Sequence, residues 1–324
     1  MPSSLLTFSD ALKFDYKPKL REQLNNSNKT LTQLEQKSDT VDVQGLYAVL
    51  ALHVGRNTGV GSRAEYGTLP TPGAQGYIQA RVPLKYHYGR LQVSGPTIAA
   101  TRTDRGAYVR AVESESTGLK NDLLREISRQ LWSTAAQVAT EITSIPNMVN
   151  NTGVLFNVDP ATTPVWKSQV SEGAAGANRS VTDGIIQSAL MNGMNESEGT
   201  PDLFITSAGV YRAYGATLVS QKRFVNTTEL KGGFSGISIA VGDQDATLIW
   251  DKDAPAETIY GLDTDAIAIY SAGDWDFMDA DHPGSVLQRV PNQDAYEATL
   301  FRYFEIATDR RNAHIVLRDL TEVS

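Results

Sequence analysis

The chain has 324 residues, of which 41% are hydrophobic and 20% are charged, as is ordinary for a globular protein with one large or two modest cores. It contains no cysteine, which excludes disulfides and thiolate metal sites, and no apolar run approaches the roughly 18 residues that a membrane helix needs. The net charge of −8 argues against a nucleic-acid-binding surface over the whole protein.

Residues 1–40 are predicted to be a loosely structured lead segment. They lack a basic start followed by an apolar stretch, so we expect no signal peptide. Short helical patches are expected within residues 1–40, one of them around Leu31 and Leu34. The mostly apolar run at 41–54 fits a strand or a short buried helix, and its periodicity leaves both open.

Residues 55–95 have the pattern of a long exposed hairpin arm. The tip at 67–76 is rich in glycine and proline, which turn chains. The returning half alternates with a period of two, with His87 on the polar side. Because an isolated hairpin is marginal in water, the arm needs a surface to lie on. We predict that one apolar face becomes buried there: Ile78, Ala80, Val82, Leu84, Tyr86 and Tyr88.

Charge is unevenly distributed along the sequence. Residues 180–300 contain 6 basic and 18 acidic residues, a local charge of −12. The opposite signs predict that the arm lies on acidic surface, with incidental charge on a solvated arm as the alternative. Residues 55–95 have a local charge of +4, from one acidic residue and five basic ones: Arg56, Arg63, Arg81, Lys85 and Arg90.

Helical periodicity follows the arm. Apolar residues at three- and four-residue spacing predict an amphipathic helix of about 24 residues over 119–142, ending near Ile145 and Pro146. A shorter helix is predicted at 105–115, with Gly118 as the boundary between the two. We expect the apolar stripe of the long helix to face the core.

From residue 181, helices and strands alternate, which predicts an α/β module. A helix is expected at 181–194 and another from Ser207 to Leu218. Strands are expected at 201–206, 237–241, 247–250, 258–262 and 266–270, and two long strands at 295–307 and 313–317 close the chain.

Catalytic motifs are missing from the sequence. The four histidines are scattered, and no nucleophile elbow, phosphate-binding loop or dinucleotide fingerprint is present. The glycine-rich run at 232–236 indicates a turn, and the aspartate-rich stretch at 274–281 does not match the calcium-loop pattern. Basic residues beside Tyr86 and Tyr88 would suit single-stranded nucleic acid, but a charge of +4 does not favour that interpretation. The sequence predicts no enzyme, no catalytic residue, no metal and no cofactor.

The order of these parts carries a resemblance. The run LYAVLALHVGRNTGVG leads into the hairpin, ARVPLKYHYGRLQVSGPTI leaves it, and the helix GLKNDLLREISRQLW follows. The α/β module contains VTDGIIQSAL and PDLFITSAGVYRAYGATL, and the closing strands are YEATLFRYFEIATDRRNAHIVLRDL. Over essentially its whole length the chain resembles the major capsid proteins of tailed bacteriophages with the Hong Kong 97-type fold, which is an α+β fold.

The resemblance implies a division of the chain. The peripheral domain would contain a spine helix at 116–143 and a long sheet supplied by 295–317. The extended loop would lie over an adjacent subunit, and the axial domain would gather around five-fold and six-fold axes. The implied parts are an N-terminal arm at 1–54, the extended loop at 55–95, the peripheral domain at 96–180 with 273–324, and the axial domain at 181–272.

The implied function is self-assembly of pentamers and hexamers into an icosahedral shell. The shell would enclose phage double-stranded DNA without sequence-specific binding, be assembled in the host bacterial cytoplasm, and have no membrane contact. Intersubunit contacts are expected from the arm, at Arg56, Arg63, Ile78, Arg81, Val82, Leu84, Lys85, Tyr86, Tyr88 and Arg90.

The expected partners follow from the same resemblance. Because only about 50 residues precede the loop, we expect a separate scaffolding protein, together with a portal, and we leave a decoration protein open. Some family members cross-link a loop lysine to an asparagine of the next subunit. Lys85 lies in the return strand and not at the tip, and no partner asparagine is evident, so we do not expect such a cross-link.

Two other functions stay open at this point. An encapsulin-type compartment shares the fold and would be recognised by a packaged enzyme in place of a genome. A soluble α/β enzyme with an insertion loop would form a small oligomer with a turnover activity, which the missing motifs disfavour.

Overall fold

The computed structural model describes residues 28–101, 105–197, 199–220, 227–230, 234–241, 244–278 and 286–323. The lead segment before residue 28, part of the glycine-rich run and two of the aspartates in the 274–281 stretch lie outside these ranges. Short 3-10 turns occur at Ala174–Gly176, Thr264–Ala266 and Arg311–Ala313. The helices are α1 (Lys29–Lys37), α2 (Gly95–Thr101), α3 (Arg105–Leu131), α4 (Ile145–Met148), α5 (Asp183–Glu196) and α6 (Ala208–Ser220).

The strands form one six-stranded sheet, one seven-stranded sheet and a separate two-stranded ribbon. They are β1 (Asp39–Asp42), β2 (Tyr47–Gly55), β3 (Gly76–Pro83), β4 (Lys85–Ser94), β5 (Gln169–Ser171), β6 (Leu203–Thr206), β7 (Thr227–Leu230), β8 (Phe234–Val241), β9 (Gln244–Trp250), β10 (Ile259–Leu262), β11 (Ile267–Ser271), β12 (Asp276–Phe277), β13 (Gln288–Arg289), β14 (Ala295–Thr308) and β15 (Ile315–Leu317).

Strand β14 is the centre of the six-stranded sheet. Along one edge it pairs with β4 over ten residues, and along the other it pairs in turn with β11, β12 and β13. Phe301 illustrates the arrangement, because Tyr88 of β4 and Asp276 of β12 stand on either side of it. Strand β1 extends the sheet by pairing in parallel with β11.

The seven-stranded sheet has the order β5-β15-β10-β6-β9-β8-β7. Helices α5 and α6 supply Ile186, Leu190 and Tyr214 to the apolar core on this sheet. Helix α5 begins after Thr182, whose side-chain oxygen accepts the Ile185 N–H, as is typical of a helix N-cap. The α/β module predicted from residue 181 is therefore confirmed in its helices and central strands.

Two strands belong to a different sheet from the one expected. The long sheet was predicted to take 295–317, but only β14 lies in it, because β15 pairs with β10 and β5 in the seven-stranded sheet. Conversely, β11 comes from the predicted α/β module but pairs with β14 and β1. Sequence periodicity describes each strand alone, and partner choice is a long-range property.

A single helix, α3, stands where two helices were predicted at 105–115 and 119–142. It passes through Gly118 without a break, so the predicted boundary is wrong. The predicted end is also wrong, because the helix stops at Leu131. The Gln137 side chain donates to the carbonyl oxygens of Val138, Glu141 and Ile142 at 2.9–3.2 Å and thereby supports a non-helical segment after the helix.

The residues that were expected to end the long helix instead begin α4. Pro146 lies in the first turn of this short helix, where a missing N–H costs nothing.

Helix α3 packs closely on β4. A Cβ atom added at Gly89 would lie 2.6 Å from Leu123 Cδ1 and 3.0 Å from Leu119 Cδ1. The glycine therefore allows the helix to approach the strand, and α3 covers one face of the six-stranded sheet.

Helix α1 connects the two sheets, which confirms the helical turn predicted at Leu31 and Leu34. The Thr30 N–H and hydroxyl donate to Asp251 Oδ2 at 3.1 and 2.6 Å, just after strand β9 of the seven-stranded sheet. On its other side, Glu35 pairs with Arg302 of β14 at 3.0 Å. The carboxylate of Asp251 also suits the positive end of the α1 dipole.

Three titratable side chains are buried around β14. Burial raises the pKa of Glu305 to about 8, although its Oε1 accepts the Thr143 and Ile306 N–H groups at 2.8 and 3.0 Å. Burial lowers the pKa of His87 to about 4 and that of His314 to about 3. The core therefore favours the uncharged form of all three side chains.

Substitution of two glycines to alanine is predicted to have opposite effects. Gly118→Ala removes a flexible residue from the interior of α3 where no atom lies within 4 Å of the added methyl, and we expect it to raise the free energy of unfolding by about 0.5–1 kcal/mol. Gly89→Ala forces α3 away from β4 and should lower that free energy by about 1–3 kcal/mol. Urea unfolding of unassembled protein measures both, and two shifts of the same sign would contradict the packing described.

A maximum of stability near pH 6.5 is also predicted. As pH rises from 6.5 to 8, stability falls, because unfolding releases the proton that Glu305 holds in the native state and the unfolded chain does not bind. As pH drops below 6.5, the two buried histidines resist protonation, so stability falls again. The isosteric variant Glu305→Gln should flatten the decline between pH 6.5 and 8 in thermal unfolding. If the stability of Glu305→Gln declined between pH 6.5 and 8 as much as that of the natural protein, the decline would be due to other titratable groups.

Candidate functional site

The arm is a two-stranded ribbon of residues 47–83. Strands β2 and β3 pair from Tyr47 opposite Pro83 to Gly55 opposite Gly76, and residues 56–75 form the tip. The hairpin predicted at 55–95 is corrected in two ways. Its outgoing strand is β2, from the run that the sequence left open between strand and helix, and β4 belongs to the body. The chain changes strand partner directly after Pro83, from β2 to β14. Proline fits this position because it has no N–H with which to continue the hydrogen-bond ladder.

One face of the arm packs on the chain's own body. Leu52, Ala80 and Val82 are buried in the main core, and the Arg81 N–H donates to the Phe156 carbonyl oxygen at 3.0 Å. The surface predicted to receive this face of the arm is thus the same chain. Two of the candidate contact residues, Val82 and Leu84, are thus buried within the chain itself, while Ile78 is half-buried and its contact with a neighbouring copy stays a prediction.

The alternation reverses between β3 and β4. Val82 and Leu84 are buried, but in β4 the buried side chains are His87 and its alternate neighbours. Tyr86 and Tyr88 are each 49% exposed. The single apolar face predicted across 78–88 therefore does not exist. Strand β3 lies on the main core, whereas β4 turns its other face toward α3.

The side of the six-stranded sheet away from α3 carries a cluster of aromatic rings. Tyr303 contacts Tyr86 edge-on with ring centroids 5.0 Å apart, Tyr88 at 5.8 Å and Phe301 at 5.0 Å. The Tyr88 hydroxyl donates to the Tyr303 hydroxyl oxygen at 3.2 Å. These residues lie opposite one another in the β4–β14 register, so they share one face.

Met278 adds to this cluster. It is 44% exposed, and its N–H donates to the Thr299 carbonyl oxygen at 2.8 Å, one step beyond the pairing of Phe277 with Leu300. Because Phe277 packs on the α3 side, Met278 faces the other side. We call Tyr86, Tyr88, Met278, Phe301 and Tyr303 the aromatic face. Only Tyr86 and Tyr88 were predicted from the sequence, and the alternation of β14 was the signal for Phe301 and Tyr303.

Two of the five predicted basic contact residues lie in β4 and interact within the chain. Arg90 pairs with Glu297 of β14 at 2.5 Å, and Lys85 Nζ donates to the Ala139 carbonyl oxygen at 2.7 Å. They therefore belong to the sheet and not to the arm.

The other three basic residues are on the arm. Arg63 stays within the tip, where it donates to the carbonyl oxygens of Glu65 and Gly67 at 3.2 and 3.0 Å. The Arg81 guanidinium lies over the Tyr47 ring at 5.6 Å from its centroid, and Arg56 is exposed. Whether these charges meet acidic surface of another copy stays a prediction.

The tip is braced internally and exposes apolar side chains. Asn57 Oδ1 accepts the Gly59 N–H at 2.7 Å, and a Cβ added at Gly59 would lie 2.6 Å from the Gly73 nitrogen, so the two halves of the tip touch. The exposed apolar side chains are Val60, Tyr66 and Leu69, at 82%, 93% and 76% exposure.

No metal-binding group of three or more histidine or acidic side chains occurs within the described ranges. Asp274 Oδ1 and Asp276 Oδ1 each accept the N–H of the following residue. No helix among the described residues is long and apolar enough to cross a membrane.

Comparison with known proteins gives matches in structure alone. No family model matches the sequence, and no curated protein does. A chain of the Cyanophage A-1(L) capsid asymmetric unit has a TM-score of 0.72 and 18% identity, over 98% of this chain and 100% of that chain. The capsid of a native GTA particle has a TM-score of 0.58 and 13% identity, over 96% and 99%.

A third match is the SrpI encapsulin of Synechococcus elongatus PCC 7942, with a TM-score of 0.58 and 12% identity over 96% of this chain and 94% of that one. These structures cover nearly the whole chain, from the arm through both sheets. The protein has the Hong Kong 97-type capsid fold.

Proposed function

We propose that this chain is a major capsid protein that assembles into an icosahedral shell around double-stranded phage DNA. The observation that carries the proposal is the cyanophage capsid match, which spans 98% of this chain and all of the matched chain at a TM-score of 0.72. The encapsulin match has the lower TM-score of 0.58. The role is structural and not enzymatic, in keeping with the lack of catalytic motifs.

The geometry supports assembly because the arm is supported on one side and open on the other. Its inner face is in the chain's own core, while Tyr47, Val49 and Tyr77 on the outer face are 50%, 49% and 67% exposed. Such apolar exposure on a projecting ribbon is typical of an interaction surface. Contacts of modest strength become collectively stable when a closed symmetric shell repeats them.

The domain assignment follows the two sheets. We assign the six-stranded sheet with α3 to the peripheral domain and the seven-stranded sheet with α5 and α6 to the axial domain. On this basis β11 moves from the predicted axial domain to the peripheral domain, and β15 moves from the predicted peripheral domain to the axial domain. A separate scaffolding protein, a portal and assembly in the host cytoplasm remain predictions, and a decoration protein stays open.

The shell is proposed to be held without covalent links from the arm. Residues 47–83 contain no lysine, and the Lys85 ammonium group already donates to a backbone carbonyl oxygen in the body. Particles boiled in detergent should therefore release monomers.

Electron microscopy of the purified protein tests the function. We expect closed shells built from pentamers and hexamers, with nucleic acid extractable from particles made during infection. Shells that contain a packaged enzyme and no genome would favour the encapsulin-type compartment. A monomer that persists under all assembly conditions would contradict both.

Charge reversal tests the basic arm. In the variant Arg56→Glu with Arg81→Glu, repulsion from acidic surface should reduce shell yield several-fold, while circular dichroism and thermal unfolding of the monomer stay unchanged. The matched control, Arg56→Lys with Arg81→Lys, keeps the charge and should assemble normally. Normal yield from the glutamate variant would show that the arm's charge is incidental.

A further inference from the structure

A fully buried arginine lies where the chain crosses from one sheet to the other. Arg311 is 1% exposed and belongs to the short turn between β14 of the six-stranded sheet and β15 of the seven-stranded sheet. We propose that Arg311 is the positioning residue of the arm: it shapes the segment 147–158, which we call the cradle, and the cradle fixes the direction in which the arm leaves the body. The inference rests on the proposed shell function, in which the arm is an assembly element.

The Arg311 guanidinium binds four main-chain carbonyl oxygens of the cradle. The acceptors are Met148 for Nε, Gly153 for Nη1, and Asn147 and Thr152 for Nη2, all at 2.9–3.0 Å. No ion pair of Arg311 is found within the described part of the chain. Burial lowers the pKa of Arg311 to about 10, which keeps the group charged at neutral pH. Because a buried charge must keep its hydrogen-bond partners, the arginine and the cradle hold each other in place.

The part of the cradle bound by Arg311 leads directly into a tight turn. Leu155 and Val158 exchange backbone hydrogen bonds at 3.0 and 2.9 Å. The two residues between them, Phe156 and Asn157, have φ of +50° and +65°, as in a type I′ hairpin turn. A phenylalanine adopts this left-handed conformation only where its surroundings hold it there. The four bonds from Arg311 fix the chain immediately before the turn and so provide that support.

The turn is where the cradle binds the arm. Strand β3 is paired with β2. The Arg81 N–H of β3 donates to the Phe156 carbonyl oxygen at 3.0 Å. The Phe156 side chain is buried in the same core as Ala80 and Val82 of β3. A hydrogen bond and a buried face on one strand restrict rotation of the ribbon at its base, so the direction of the arm depends on the turn and, through the cradle, on Arg311.

The connection to β4 does not by itself fix this direction. Only Leu84 separates β3 from β4, these two strands do not pair, and a single linking residue leaves two soft backbone angles. The Leu84 N–H donates to the Leu46 carbonyl oxygen at 3.3 Å, which closes the base of the ribbon and does not join it to the cradle. Arg311 is itself held by the chain that follows the cradle, because the Ser168 hydroxyl donates to its carbonyl oxygen at 2.7 Å.

Distance measurements on unassembled protein test the positioning role, since the natural chain has no cysteine. Leu69→Cys at the arm tip and Val323→Cys on the body, both at exposed positions, carry nitroxide labels, and double electron–electron resonance gives the distribution of distances between them. With Arg311 in place we expect one narrow distribution. Arg311→Met has no donor, so the cradle loses four hydrogen bonds and the distribution should broaden roughly twofold.

The controls separate arm direction from general loosening of the fold. The body pair Met278→Cys with Val323→Cys should keep its width when Arg311→Met is added. Arg179→Met removes a half-buried arginine that donates to Ser171 outside the cradle, and it should leave the tip distribution narrow. If Arg311→Met does not fold, Arg311→Lys gives the same test, because lysine keeps the charge but cannot reproduce the forked donor geometry.

The outcomes decide the positioning role and the shell function separately. A tip distribution that is already broad with Arg311 in place, or equally narrow without it, overturns the positioning role. Broadening of the tip pair and the body pair together also overturns it, since Arg311 would then stabilise the core as a whole. Shell yield should fall several-fold in Arg311→Met, and a broadened arm with normal yield would show that assembly does not need a fixed arm direction. Absence of shells from the natural protein overturns the proposed function but not the distance result.

Discussion

The structure depends on one strand that is hydrogen-bonded along both edges. Strand β14 holds β4 on one side and three successive strands on the other, so the arm, the long helix and the connection to the second sheet all attach to it. Helix α3 packs on β4, the partner of β14. Arg302 of β14 forms an ion pair with Glu35 of helix α1. Loss of pairing at β14 would separate β4, with helix α3, from β11, β12 and β13.

The sequence predicted the elements whose pattern is local. The strand predicted at 295–307 corresponds to β14 and the helix predicted at 181–194 to α5, because the pattern of apolar residues within a strand or a helix reflects the face that it buries. The capsid fold was predicted from element order. Sheet membership was not, since β15 and β11 choose partners that lie far away in the chain.

The candidate site was predicted less well, for a physical reason. Alternation marks which residues share a face but not whether that face meets the same chain or another one, so Val82 was assigned to a neighbour although the chain buries it itself. The change of strand partner after Pro83 also exchanges the buried and exposed positions of the alternation, and a single period-two pattern cannot represent such an exchange. Tyr86 and Tyr88 were found by the same pattern and do lie at the surface, but on a different element from the arm.

The missing side chain at Gly89 has a mechanical meaning for the proposed shell, in which one subunit would have to fit unequal positions. With Leu123 and Leu119 occupying the space of a Cβ atom, α3 and the six-stranded sheet interlock and can only move as one body. At the boundary between the sheets, α1 contributes hydrogen bonds and an ion pair, and its Leu31 and Leu34 lie in an apolar core that residues of both sheets share, so the two sheets are joined by packed side chains as well as by polar contacts.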